Sequence, residues 1–93
     1  MKLLSKDDIN KFLGLINHWN LNENMIEKEF ILQNFVEALS FMLKCGIEAE
    51  KLDHHPDMLL FGWNKVRVTI STHSLGGLTE ADFNLAQQID KIN

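Results

Sequence analysis

The chain has 93 residues, of which 45% are hydrophobic and 24% charged, and its formal net charge is -4 with the histidines neutral. This length and composition predict a single globular domain over residues 1–93 and exclude an intrinsically disordered chain. The negative charge and the lack of a lysine or arginine cluster argue against direct nucleic-acid binding, in which basic groups displace counterions.

The same totals limit the cellular setting. A single cysteine, Cys45, cannot form an internal disulfide, which excludes a disulfide-stapled secreted scaffold. The opening residues MKLLSKDDIN turn polar after two leucines and lack the apolar core of a signal peptide. No apolar run approaches the roughly 20 residues that span a bilayer. We therefore expect a soluble cytoplasmic protein without membrane contact.

The first part of the chain has the pattern of a helix followed by a β-hairpin. Ser5, with Asp8 three residues later, has the spacing of a capping box and opens a helix that is predicted to end near His18. Alternate asparagines from position 20 to 24 then indicate a short strand, a turn and a second strand over 25–31.

A longer helix is predicted from the N-cap Asn34, with Glu37 at its third position, to about Glu50. It stops before Pro56, because the residue before proline disfavours helix. The predicted apolar stripe of this helix consists of Phe35, Leu39, Met42, Leu43, Gly46 and Ile47. The helical period favours core packing for the stripe, and Cys45 is interpreted as a small core residue rather than a nucleophile.

A second hairpin and a final helix complete the pattern. Strands are predicted at about 58–62 and 66–73, joined near Asn64 and Lys65. The even-numbered residues of the second strand should face the core, whereas the odd-numbered set, ending in His73, should face away. Thr79 caps the last helix. The order α-β-β-α-β-β-α predicts an α+β, two-layer fold with helices on one face of a four-stranded antiparallel sheet.

Three of the four histidines are candidates for chemistry. His54 and His55 stand between Asp53 and Pro56, just past the second helix, and His73 ends a strand, so all three can lie at one edge of the domain. Histidine gives and takes protons near neutral pH, which suits general acid–base catalysis. A metal site fits less well, because no CxxC or HExxH is present and neighbouring extended residues point apart.

Several flanking residues have two interpretations. Asp82 completes a capping box with Thr79 or orients a nearby imidazole, and both roles can coexist. Glu50 is either a solvated charge or part of the site. Trp63 and Trp19 are either core residues or walls of a pocket for a flat ring.

The spacing Glu50, His54-His55-Pro56, Trp63, His73, Asp82 resembles the signature of the pterin-4a-carbinolamine dehydratases. The segments EALSFM, EAEKLDHHP, NKV, STH, GLTEAD and NLAQQID also resemble that family, so the similarity covers nearly the whole chain. It implies the α+β fold and the dehydration of 4a-hydroxytetrahydrobiopterin to quinonoid dihydrobiopterin. That reaction recycles the cofactor of aromatic amino acid hydroxylases such as phenylalanine hydroxylase, and it requires no cofactor or metal.

The resemblance also implies site residues. His54 and His73 would act as acid or base, His55 would hold the pterin, and Asp82 would orient the site with Glu50 behind it. The implied substrate contacts are Glu50, Asp53, His54, His55, Pro56, Trp63, Ser71, Thr72, His73 and Ser74. The resemblance leaves open an alternative substrate, another pterin such as one linked to molybdenum cofactor.

Partners and departures follow from the same resemblance. Homodimers or homotetramers are implied. The apolar stripe of the second helix is either the contact between copies or part of the core of the monomer, and the sequence does not separate the two. The alternative function is a non-enzymatic dimerisation or assembly cofactor that binds a partner protein through a helical face. The segment between Pro56 and Trp63 is one residue longer than in animal members, which predicts a bulge. Met58 stands where those members usually have tryptophan, and His18 replaces their usual glycine.

Overall fold

The computed structural model describes residues 1–92, which form three α-helices and a four-stranded antiparallel sheet. In chain order the elements are α1 (Lys6–Leu13), β1 (Asn20–Asn22), β2 (Met25–Ile31), α2 (Phe35–Leu52), β3 (Asp57–Phe61), β4 (Lys65–Ile70), a short 3-10 helix (His73–Leu75) and α3 (Glu80–Asp90). The predicted α+β fold is confirmed, with the 3-10 helix as an addition. The strand order within the sheet is β1-β2-β4-β3, so β1 and β3 are its edges.

One face of the sheet carries the core. Val66, Val68 and Ile70 alternate along β4 and are fully buried, as the period-2 pattern predicts. On the neighbouring β2, Ile26 lies on the same face, and its register partner is Ile70. The helices cover this face, and the opposite face keeps polar side chains such as the ion pair of Arg67 and Glu29.

The helix α2 buries a different stripe from the predicted one. Its buried residues are Ala38, Phe41, Cys45 and Ala49, and these occupy a face about a third of a turn away from the predicted stripe. Phe35, Leu39, Leu43 and Ile47 are exposed, so the core-packing prediction is wrong for them. Small side chains at Ala38 and Ala49 allow the helix to approach the sheet closely, which the periodicity of large apolar residues did not reveal.

The core position of Cys45 is confirmed. The side chain is fully buried, and burial, with the nearby Glu48 carboxylate adding to it, raises the pKa of the thiol to about 12. The thiol therefore stays protonated at neutral pH, as expected for a packing residue.

The first two helices end at different residues from those predicted. The helix α1 begins with the Ser5 side chain accepting a hydrogen bond from Asp8 N, but it ends at Leu13, and Gly14 follows as its C-cap. Turns rather than helix occupy 14–18. The helix α2 continues to Leu52, two residues beyond the predicted end, because a C-terminal cap ends it there.

The second hairpin is shorter than predicted. Its strands are Asp57–Phe61 and Lys65–Ile70, and every residue of β3 pairs with β4 in one uninterrupted register. The predicted bulge is therefore wrong for this strand. A three-residue loop of Gly62, Trp63 and Asn64 joins the strands, and both Gly62 and Trp63 have positive φ.

His18 is expected to be replaceable by glycine with a gain in stability. Its φ of 63° lies in the left-handed region, which costs an L-residue about 1–2 kcal/mol and costs glycine little. We expect His18→Gly to raise Tm by about 4 °C. Glycine removes the backbone strain of the folded state but also raises the conformational entropy of the unfolded chain, which offsets part of the gain in stability. Thermal unfolding followed by circular dichroism measures the shift. His18→Ala keeps a Cβ and serves as the control; an equal Tm for both variants would contradict the explanation.

Candidate active site

The end of α2 determines where the paired histidines lie. Asp53 adopts a left-handed conformation with φ 51° and ψ 44°, and its N–H donates to Glu50 O at 3.2 Å. His54 N donates to Ala49 O at 3.1 Å. These two bonds form a Schellman motif, which turns the chain sharply at the helix end. The His54 side chain is consequently 10% exposed, whereas that of His55 is 58% exposed.

His54 is anchored to a buried carboxylate. Its Nε2 lies 2.5 Å from Asp82 Oδ1, and Asp82 is fully buried in the first turn of α3. The other oxygen, Oδ2, accepts from Thr79 N at 2.8 Å and from the Thr72 hydroxyl at 2.9 Å. Asp82 therefore caps α3 and contacts the imidazole of His54 at the same time.

A chain of hydroxyls completes this network. Thr72 Oγ1 and Thr79 Oγ1 lie 2.8 Å apart, and both residues are buried. Because the single proton of Thr72 is used toward Asp82, Thr79 must donate to Thr72. The sequence predicted Thr79 only as a helix cap; its pattern gave no sign of this bond between side chains.

A closed loop carries the third histidine. Thr72 N donates to Gly77 O at 2.8 Å, and the intervening 3-10 helix ends at Gly76, whose φ is 68°. His73 thus lies just after β4 and not within it, which corrects the predicted strand end. Its side chain is 70% exposed, and its Nε2 lies 3.7 Å from Asp57 Oδ2.

These segments meet around one cavity of about 290 Å³. It is lined by Met1, Asp53, His54, His55, Ser71, Thr72, His73 and Ser74. The structure therefore brings together the three candidate histidines with Asp53 and the predicted 71–74 segment. The contribution of Met1 had no signal in the sequence.

Besides Asp82, which lies behind His54, three predicted residues do not line this cavity. Glu50 and Pro56 line an adjoining apolar groove of about 740 Å³ between α2 and β3, which shares His55 with the cavity. The Glu50 carboxylate lies 2.5 Å from His55 Nε2. Trp63 is in the loop beyond β3, so the length of that strand, about 13 Å, separates it from the cavity of its own chain.

The site has the composition for proton transfer. Within residues 1–92 no group of three or more histidine, cysteine or acidic side chains has metal-binding geometry. The same residues include no helix with the length and apolarity needed to cross a membrane. What the cavity presents is three imidazoles, one of them oriented by a buried carboxylate, beside serine and threonine groups. Imidazoles in such surroundings serve as general acids and bases.

Fold and site together define an α+β protein with a histidine-lined cavity at one edge of its sheet. The family model described as pterin 4 alpha carbinolamine dehydratase matches residues 2–92, and the chain belongs to this family. A relative from Sinorhizobium fredii is 46% identical over 90 residues, covering 95% of this chain and 85% of that protein. One from Prochlorococcus marinus is 39% identical over 92 residues, covering 99% and 96%. Both are provisionally named pterin-4-alpha-carbinolamine dehydratase.

Two solved structures are similar. One, described as a transcriptional coactivator/pterin dehydratase from Brucella melitensis, has a TM-score of 0.88 and 33% identity, with 95% of each chain covered. The other is a pterin dehydratase-like protein identified as a RuBisCO assembly factor of the alpha-carboxysome. It has a TM-score of 0.60 and 23% identity, covering 78% of this chain and 83% of that one, and it shows similarity of fold alone.

Proposed function

We propose that the chain is a lyase that dehydrates 4a-hydroxytetrahydrobiopterin to quinonoid dihydrobiopterin and water. The observation that carries the proposal is the meeting of His54, His55 and His73 around one cavity, with Asp82 behind His54. Membership of the family supports the same reaction. In this role the protein acts in the cytoplasm and takes part in recycling tetrahydrobiopterin, the cofactor of aromatic amino acid hydroxylases such as phenylalanine hydroxylase.

The reaction needs two proton transfers and no change of oxidation state. The lone pair of the ring nitrogen N5 forms a double bond to C4a while the C4a–OH bond breaks. An acid protonates the departing hydroxyl, which leaves as water, and a base removes the N5 proton. One imidazolium and one neutral imidazole supply both transfers and exchange protons with solvent afterwards.

The contacts of each histidine suggest its role. A carboxylate can only accept, so His54 donates Nε2–H to Asp82 and keeps Nδ1 for a substrate proton. His73 lines the same cavity and is open to solvent, which suits the second transfer. His55, held by Glu50, binds the pterin ring.

The polar segments around the cavity bind the substrate. Asp53, Ser71 and Ser74 offer groups that match the pterin's amide and amino edge. Thr72 is buried and acts through Asp82, and Pro56 fixes the chain after the histidines.

The proposal is tested by the decay of freshly made 4a-carbinolamine, followed by absorbance with and without the protein. We expect decay faster than in buffer, in proportion to protein concentration. Decay at the buffer rate would reject the enzyme and leave the alternative, a cofactor that binds a partner protein through its helical face.

We further propose that the exposed apolar face of α2 is a contact between copies. This face comprises Phe35, Val36, Leu39, Leu43 and Ile47, all exposed. A contiguous exposed apolar face of this kind usually marks an interface. A homodimer or homotetramer would remove it from water.

Disruption of this face is expected to lower the assembly state. Leu43→Glu places a charge in the centre of the α2 face, and desolvating it within an interface is costly. We expect multi-angle light scattering to show a lower mass at micromolar concentration, with unchanged circular dichroism. Ile31→Glu, at an exposed position on β2 away from this face, is the control. Equal masses for the two variants would exclude the α2 face as the contact.

A further inference from the structure

The candidate cavity has one apolar side chain. Apart from Met1, its lining among residues 1–92 consists of histidine, serine, threonine and aspartate. Sites for flat heterocycles are usually lined mostly by apolar side chains, with a few polar groups that fix the orientation of the ligand. The polar groups are present here in number, so the apolar contact that the chain itself can offer to the face of a bound ring comes from Met1.

The segment 1–4 is attached to the loop that carries His73. Leu4 N donates to Leu78 O at 2.9 Å, and the Leu4 side chain packs against the core. Leu3 Cδ2 lies only 2.9 Å from the position that a Cβ on residue 77 would occupy, and this close approach is possible because residue 77 is glycine. Residues 3 and 4 therefore hold the segment along the loop and direct the preceding residues toward the cavity.

Met1 lies beside the hydrogen bonds that support His54. Its Sδ is 4.0 Å from Thr72 Oγ1, and the Thr72 hydroxyl donates to Asp82. Met1 nevertheless remains 81% exposed. A side chain that lines a cavity and is still largely exposed offers apolar surface that a ligand in the cavity removes from water.

Methionine is suited to contact with a flat ring. Its side chain is unbranched and adaptable, and its polarizable sulfur makes favourable contacts with aromatic rings at about 5 Å. We infer that the Met1 side chain packs against the face of the bound pterin ring, and that Leu3 and Leu4 position it there. This inference rests on the proposed function, because it assigns a further substrate contact in the same site.

Replacement of residue 1 tests the contact. The chain is produced behind ubiquitin, and removal of the ubiquitin by a deubiquitinase leaves the chosen residue at position 1. We expect Met1→Ala to raise KM for the carbinolamine about fivefold, with kcat within about twofold of wild type, because the ring loses the thioether contact and the histidines are intact. Met1→Leu keeps the apolar volume, so its KM should stay within about twofold of wild type.

Lys2→Ala is the matched control for these variants. Lys2 is exposed in the same segment but lines a neighbouring cavity of about 560 Å³ instead of the candidate one. Its replacement should change neither KM nor kcat. An active protein in which Met1→Ala leaves KM unchanged, or in which Lys2→Ala raises KM as much, would overturn the contact.

The positioning role of Leu3 is tested by a double-mutant cycle. Leu3→Ala keeps Met1 but removes the packing against Gly77, so KM should rise as it does in Met1→Ala. Because both variants then lose the same contact, adding Met1→Ala to Leu3→Ala should raise KM by less than about twofold further. Effects of the two substitutions that multiply in full would show that Leu3 does not position Met1.

A spectroscopic experiment tests the contact without any turnover. The chain is labelled with ¹³C in its methionine methyl groups and titrated with 7,8-dihydrobiopterin. The Met1 methyl signal, identified by its loss in Met1→Leu, should shift as the ring binds. The signal of Met25, which lies at the start of β2 and outside the cavity, should not move. Saturation with the ligand without a shift at Met1 would overturn the contact.

The outcomes separate this inference from the proposed function. A Met1 shift on binding of 7,8-dihydrobiopterin, in a protein that does not dehydrate the carbinolamine, would support the contact and reject the dehydratase. Dehydration with no effect of Met1→Ala and no methyl shift would leave the proposed function standing and reject the contact. A protein that neither binds nor dehydrates would reject both.

Discussion

Replacement of His54 or His73 by alanine is expected to lower the rate of carbinolamine dehydration by about 10²-fold or more. Each variant keeps one of the two proton-transfer groups and loses the other. The dehydration must then proceed with the general acid alone or with the general base alone. His73 is exposed, and its removal should not affect folding. His54 is largely buried, and a hydrogen bond to Asp82 is lost with it, so its variant needs a check of the fold.

The measurement is the initial rate of carbinolamine decay, corrected for the rate in buffer, beside circular dichroism and a thermal melt. His18→Ala serves as the control, because His18 is exposed and lies outside the cavity. His55→Ala should mainly raise KM, since His55 is assigned to binding. Near-full activity in both the His54 and His73 variants would refute the acid–base assignment.

Much of the fold could be predicted from the sequence, because short local patterns indicate its strands and helix caps. The alternation of Val66, Val68 and Ile70 and the N-cap at Asn34 depend on neighbouring residues only. The burial of α2 depends on which side meets the sheet. Two of its faces are apolar, and periodicity favoured the larger side chains, whereas packing selected the face of Ala38 and Ala49.

The site was accessible for a different reason. The histidines and Asp82 could be located by their resemblance to a family motif, but the hydrogen bond between His54 and Asp82 joins residues 28 positions apart. No local pattern determines such a distance. Trp63 shows the opposite limit: the motif includes it, yet the structure places it in the loop after β3, outside the cavity.

Replacement of Asp82 by asparagine is expected to affect activity and stability together. Asp82 accepts three hydrogen bonds, from His54, Thr72 and Thr79 N, and it is fully buried. Asparagine has nearly the same shape but turns one acceptor atom into a donor. One of the three donor groups then faces the amide NH2, which is itself a donor, and is left without an acceptor. In a buried site this costs about 1–3 kcal/mol. We expect Tm to fall by at least about 4 °C.

The activity change follows from the proton on His54. If the asparagine amide donates to His54 Nε2, the imidazole carries its proton on Nδ1 and can no longer accept a substrate proton there. We expect kcat, measured at saturating substrate, to fall by about 10²-fold. Glu80→Gln, an exposed carboxylate in the same turn of α3, is the matched control and should change neither quantity. A variant that is less stable but fully active would show that Asp82 only caps the helix, and that His54 does not need a fixed tautomer.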